Sequence, residues 1–159
     1  MNRRQFIRNS ILGICAITLF ATSVNAGIFG PSKKSLRNYL KEHSLVVIKD
    51  GNTNFYEGRG VSPLMNYLVK DNFENAYVAD KRIGKASALL LVYGKARKVY
   101  TPVITKPAVK VFEENDVNYS ADKVVDNFLN NKGTDICPIE KKVQNIDNPA
   151  EAYELFRNF

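Results

Sequence analysis

No tryptophan occurs in this chain, histidine occurs once (His43), and the only cysteines are Cys15 and Cys137. Cys15 lies in the N-terminal 26 residues, so a chain that loses that segment keeps one thiol and can form no internal disulfide. A single histidine with no cysteine beside it in sequence also offers no ready nucleophile–base pair. Long apolar runs are missing too: the unbroken one from Ile11 to Ala16 is far too short to span a bilayer. Basic residues are plentiful, 23 Lys and Arg against 16 Asp and Glu for a net charge of +7. They are interleaved with acids, however, and no nucleic-acid-binding motif or basic stripe appears. No repeat, low-complexity segment or second-domain boundary is present.

What is there begins with "MNRRQFIRNSILGICAITLFATSVNA". Paired Arg3 and Arg4, Phe6 two places on, a short apolar middle and small residues up to Ala26 match a twin-arginine export signal. Residues 1–26 are therefore expected to be a signal peptide, read by the twin-arginine translocase and removed. The mature protein is then periplasmic or otherwise exported, with no stable membrane association. Removing Arg3, Arg4 and Arg8 lowers the formal charge to +4 (20 basic and 16 acidic residues), so part of the basic balance belongs to export. Residues 27–34 read as a linker and residues 35–159 as one domain with a single core.

Along that domain, "SLRNYLKEH" places Leu36, Tyr39 and Leu40 on one helical face. "SLVVIKDGNTNFYEG" reads as two strands joined at Asp50-Gly51, a strong hairpin signal. Ser62-Pro63 is expected to cap and open a helix, and "NAYVADK" to form a strand. Gly84 precedes the almost wholly apolar helix "KASALLLVYGK", which must lie buried against a sheet. "KVYTPVIT" is a strand, Thr105 caps "KPAVKVFEEND", and "VNYSADKVV" supplies the last strand. Two helices follow, from Pro138 and from Asn148-Pro149. The order α-β-β-α-β-α-β-α-β-α calls for an α/β fold: a mixed sheet with helices on both faces. Phe55, Tyr67, Tyr77, Tyr93, Tyr100 and Phe112 fall at core-facing spacings.

"VADKRIGKASALLLVYG", "KVYTPVIT", "GTDICPIEKKV" and the tail "DNPAEAYELF" resemble an uncharacterised bacterial family with the fold of the cytidine deaminases. The resemblance implies a three-layer α/β/α sandwich around a five-stranded mixed sheet, and brings no assigned reaction with it. A zinc deaminase needs a His or Cys from one helix start, two Cys from the next, and a non-ligating Glu. The corresponding stretches here, "RGVSPLM" and "DKRIGKA", hold neither His nor Cys. Zinc chemistry of that type is not expected, and no metal or cofactor is.

The candidate site residues start with "ADKRIGKAS". Lys81 and Lys85 flank the start of a buried helix, where the helix dipole already disfavours cations. Asp80 or an anionic ligand must offset them, and Gly84 leaves room for close approach. A P-loop is excluded, because Ala86 follows Lys85 and the upstream glycine is missing. Cys137 precedes Pro138 at a helix start, with Glu140 in the capping-box position, a setting that can activate a thiol or simply end a loop. Arg59, in "YEGRGVSP", stands at the other helix start and can meet an anion.

These residues lead to the expectation of a small phosphate- or carboxylate-bearing ligand. Asp80, Lys81, Gly84 and Lys85 are expected on one wall and Arg59, Thr134, Cys137 and Glu140 on the other. One alternative is a thiol-dependent enzyme that uses Cys137 as catalytic nucleophile. Another is an accessory protein to an exported redox partner.

Overall fold

The computed structural model describes residues 30–157. The expected signal peptide and residues 27–29 of the expected linker fall outside that range. Ser32 accepts a hydrogen bond from the Ser35 N–H at 3.1 Å and caps α1 (Lys33–Glu42). The helix therefore begins inside the stretch read as linker, because Ser32 supplies the oxygen that the first turn needs. Next comes the hairpin β1 (Leu45–Lys49) and β2 (Asn52–Tyr56), with Asp50 and Gly51 both at positive φ, 51° and 77°. Two successive left-handed residues are what a tight hairpin turn demands, as the Asp-Gly pair signals.

Helix α2 (Ser62–Leu68) differs from expectation at its start. Val61, not Ser62, is its N-cap and makes no side-chain cap bond, so Ser62 already belongs to the first turn with Pro63. Strand β3 (Tyr77–Asp80), helix α3 (Lys85–Tyr93) and strand β4 (Lys98–Thr105) follow. Thr105 caps α4 (Lys106–Glu114) by accepting from the Ala108 N–H at 3.4 Å. Strand β5 (Asn118–Val125) and helices α5 (Pro138–Lys142) and α6 (Pro149–Arg157) complete the chain. Asn148 accepts from the Ala150 and Glu151 N–H groups and opens α6.

The strands form one mixed sheet in the order β2-β1-β3-β4-β5. Both neighbours of β1 run antiparallel to it, whereas β3, β4 and β5 are parallel. Side chains alternate across the sheet, as the strand period requires. Val46, Ala79 and Tyr100 pack with Leu36 and Leu40 of α1 on one face. Leu45, Val47, Val78 and Val99 join the larger core, built with α2, α3, α4 and α6, on the other. Leu89, Leu90 and Leu91 of α3 are fully buried, because α4 and α6 both pack on that helix in addition to the sheet. Truncating any of them to alanine should cost about 2–5 kcal/mol.

Tyr67, Tyr100 and Phe112 are core residues as expected, but Phe55 and Tyr93 are about two-fifths exposed. Phe55 lies on the outermost strand and packs against Tyr39 and His43. Tyr93 stacks on Tyr153 of α6 with ring centroids 4.2 Å apart. Among the described residues no helix is long and apolar enough to cross a membrane.

Candidate functional site

Strand pairing brings three chain segments to one end of the sheet's strands. Leu45 at the start of β1 stands opposite both Tyr56 at the end of β2 and Asp80 at the end of β3. Ser44, the loop from Glu57 to Val61 and the segment from Asp80 to Gly84 therefore meet there, beside the N-terminus of α3. This is the carboxyl end of β3, the position where α/β sheets commonly open a crevice. The segment 128–137 closes the crevice: the Cys137 N–H donates to the Phe128 carbonyl at 2.8 Å, and Leu129 and Ile136 form an isolated bridge.

A cavity of about 550 Å³ results, within the usual size range for small-molecule sites. Arg59, Asp80, Lys81, Gly84, Cys137 and Glu140 line it, together with Ser44, Arg82, Ser87, Phe128, Asn131 and Ile139. Six of the residues singled out in the sequence thus share one cavity. The other two do not. Lys85 turns away, its Nζ donating to the Gln144 carbonyl at 3.0 Å and pairing with Asp147 at 2.8 Å. Thr134 is exposed in the closing loop, bonded through its hydroxyl and N–H to Asn130.

Glu140 departs from expectation in an informative way. Cys137 is the N-cap of α5 but makes no side-chain cap bond, and Glu140 does not reach back to it. Instead the Glu140 carboxylate accepts from the Lys85 N–H at 2.6 Å and the Ala86 N–H at 3.3 Å. It is the anion at the positive end of α3. Gly84 is required for this approach, because a Cβ there would collide with the Glu140 carboxylate. Burial pushes the Glu140 carboxyl above its ordinary value, while the two N–H donors and Lys85 pull it back.

Asp80 pairs with neither lysine. It is only 8% exposed, and its carboxylate receives one hydrogen bond, from the Arg82 N–H to Oδ1 at 3.1 Å. Loss of solvation outweighs that bond and raises its pKa to about 7. The cations have the opposite surroundings. Arg59, Lys81 and Arg82 are exposed, line the cavity and form no ion pair among the described residues. Arg82 lies over the Phe128 ring, 4.2 Å from its centroid, and so is held at the cavity wall. Arg59 stands between Gly58 and Gly60, both at positive φ, and Gly60 leaves the space that Ile139 of α5 fills.

Sequence reasoning missed Ser44, Arg82, Ser87, Phe128, Asn131 and Ile139 as lining residues. Ser87 sits two places beyond Lys85 on an apolar helix and carries a weak signal, as the lone hydroxyl in "ASALLL". Phe128 carries none, since it is brought to the cavity by long-range contacts: the Cys137–Phe128 backbone bond, the adjoining Leu129–Ile136 bridge and the Arg82 guanidinium over its ring.

An α/β domain with a five-stranded mixed sheet, flanking helices and a cation-rimmed cavity at a strand end is thus the class defined by fold and site. Residues 33–159 match the DUF1893 family, described as a domain of unknown function, and the chain belongs to that family. It is also similar to the crystal structure of a DUF1893 family protein from Thermotoga maritima. The two share 32% sequence identity with a TM-score of 0.69, over 79% of this chain and 89% of that one. No curated protein matches the chain in sequence.

Proposed function

We propose that the cavity binds a small anionic ligand bearing phosphate or carboxylate. The observation that carries this reading is the imbalance of charge around it. Among the described residues Arg59, Lys81 and Arg82 have no ion pair, Glu140 is taken up by the α3 N–H groups, and burial raises the Asp80 pKa to about 7. An anion entering the mouth meets three cations free of ion pairs among the described residues, two of them guanidinium groups able to bond it through two N–H donors at once. The ligand does not need the helix N-terminus, which Glu140 already occupies.

Isothermal titration with pyrophosphate tests the reading. Saturable binding that weakens with added salt and is lost in Arg59→Ala, Lys81→Ala and Arg82→Ala combined supports it. No saturable binding, or binding untouched by the triple substitution, overturns it. Export, expected from residues 1–26, belongs to this reading and has its own test. Replacing Arg3 and Arg4 by lysine should trap the protein in the cytoplasm; unchanged distribution between compartments would sink the export part alone.

Kinship to the cytidine deaminases is part of the same proposal, supported by the mixed sheet with a helix beginning just after β3. Zinc does not fit it. The two helix starts present Val61, Ser62 and Pro63, and Gly84, Lys85 and Ala86, none of which is a zinc donor. His43 is engaged elsewhere, with Nδ1 2.5 Å from Glu57 and its ring against Phe55. No step is derived through a metal.

A second reading has one observation in its favour: the half-buried Cys137 thiol lines the same cavity as the cations. A thiolate there would be a nucleophile with positive charge nearby to stabilise developing anions. Iodoacetamide labelling across pH decides it. An apparent pKa near or above about 8.5 leaves the thiol unactivated and removes the enzyme reading.

A further inference from the structure

The lining of the cavity changes character with depth. Its cations, Arg59, Lys81 and Arg82, all belong to exposed residues, while Asp80 and Ser87 are 8% and 6% exposed. Both buried groups have hydrogen-bonding capacity to spare. One oxygen of Asp80 receives no bond among the described residues, and the Ser87 hydroxyl forms none there. Neither is sealed in the core, since among the described residues no fully buried side-chain oxygen or nitrogen is left without a partner. Their free atoms therefore face the cavity. Polar atoms so placed are satisfied by whatever fills the cavity, water or ligand.

We infer that the ligand is a phosphate ester of a polyhydroxy compound, the sugar-phosphate class, with its phosphate at the cationic mouth and its hydroxyls at Asp80 and Ser87. This rests on the anion-binding reading and specifies the other end of the molecule. A hydroxyl both donates and accepts, so it can satisfy Asp80 in either protonation state and Ser87 in either orientation. An ammonium group would suit a charged Asp80 but would have to pass three cations. A wholly apolar tail would leave both buried groups unpaired. Two arginines and a lysine match the charge and multiple oxygens of a phosphate better than those of a single carboxylate.

Titrating the purified protein with inorganic phosphate, butyl phosphate, glycerol 3-phosphate, ribose 5-phosphate and glucose 6-phosphate tests this. At least one of the hydroxylated esters should bind about tenfold or more tightly than butyl phosphate, which has the phosphate and the bulk without the hydroxyls. Asp80→Asn and Ser87→Ala should each shrink that ratio several-fold. If every ester binds no better than butyl phosphate, the hydroxyl end is wrong and the anion reading stands. If none of the phosphates binds, both fall. If the ratio survives in both variants, the hydroxyls are read elsewhere and the inference is overturned. Circular dichroism and urea midpoints of the two variants confirm that they are folded, and Ser87→Ala removes only one oxygen from a helix.

Discussion

Glu140 and Gly84 act as a pair although 56 positions separate their numbers in the chain. The carboxylate needs the missing Cβ of Gly84, and the two N–H groups of α3 need the carboxylate. Glu140→Ala leaves both donors without their acceptor and should cost about 1–3 kcal/mol. Gly84→Ala forces the carboxylate away and should cost a similar amount, about 1–3 kcal/mol. Because each change destroys the same contact, the double variant should fall short of the sum by about 1 kcal/mol or more. Urea unfolding midpoints at constant slope measure this, and additivity within about 0.5 kcal/mol would show that the two residues act separately. Local reasoning from sequence paired Glu140 with Cys137, three places away, in the familiar capping pattern. The partner it missed is a backbone brought near only by the packing of α5 beside α3, which no sequence spacing encodes. The electrostatic argument named Asp80 or a bound ligand as the offsetting anion and did not name Glu140. Two lysines at a helix start do call for an anion, and the anion is Glu140 rather than Asp80.

Elements read well where their signals are internal to them. Asp50-Gly51 marks the hairpin, Thr105 caps α4, and the apolar run of α3 foretells its burial on all sides. The start of α1 was less legible, because Ser32 with Ser35 is a weaker cap signal than the apolar spacing that begins at Leu36. What fastens α1 to the sheet was not legible at all. Asp122 of β5 takes Arg37 at 2.9 Å, Lys33 at 2.9 Å and the Tyr100 hydroxyl at 2.7 Å. Burial works to raise this carboxyl, but the hydrogen bonds from Lys33, Tyr100 and Arg37 together hold it down at about 2. Since α1 buries only Leu36 and Leu40, this cluster should matter to the helix more than to the whole domain. Asp122→Asn is expected to speed hydrogen exchange of the α1 amides several-fold and leave those of α3 unchanged. Equal acceleration in both helices would mean that α1 does not open separately. In the wild type the same attachment, present above the ordinary carboxylate range, should weaken as pH falls towards about 2.

For the molecule as a whole, the two kinds of carboxylate give stability an unusual dependence on pH. Asp122, Asp71, Asp126, Asp135 and Asp147 all have pKa values below the ordinary range, each with a hydrogen-bonded cation. Their contribution is present above about pH 4 and is lost below it. Asp80 and Glu140 are shifted the other way, chiefly by burial. For Asp80 the folded state binds the proton more tightly than the unfolded state, so stability declines as pH rises from about 4 to about 7 and is level above that. The two effects together place maximum stability in mildly acidic solution rather than at neutrality. A shift from 3.8 to about 7 amounts to about 4 kcal/mol. Asp80→Asn, which cannot ionise, should remove most of the decline between pH 5 and pH 8 and make the protein more stable than wild type at pH 8. Urea midpoints of both proteins at several pH values would show it. A wild-type profile that rises through this interval would mean that Asp80 is charged and well solvated in the folded protein. A decline that Asp80→Asn leaves in place would assign it to Glu140 instead. Stability given up at neutral pH by a carboxyl on a cavity wall is recoverable when a ligand bonds to it. The same variant should therefore gain less than wild type from any ligand that reaches the inner end of the cavity.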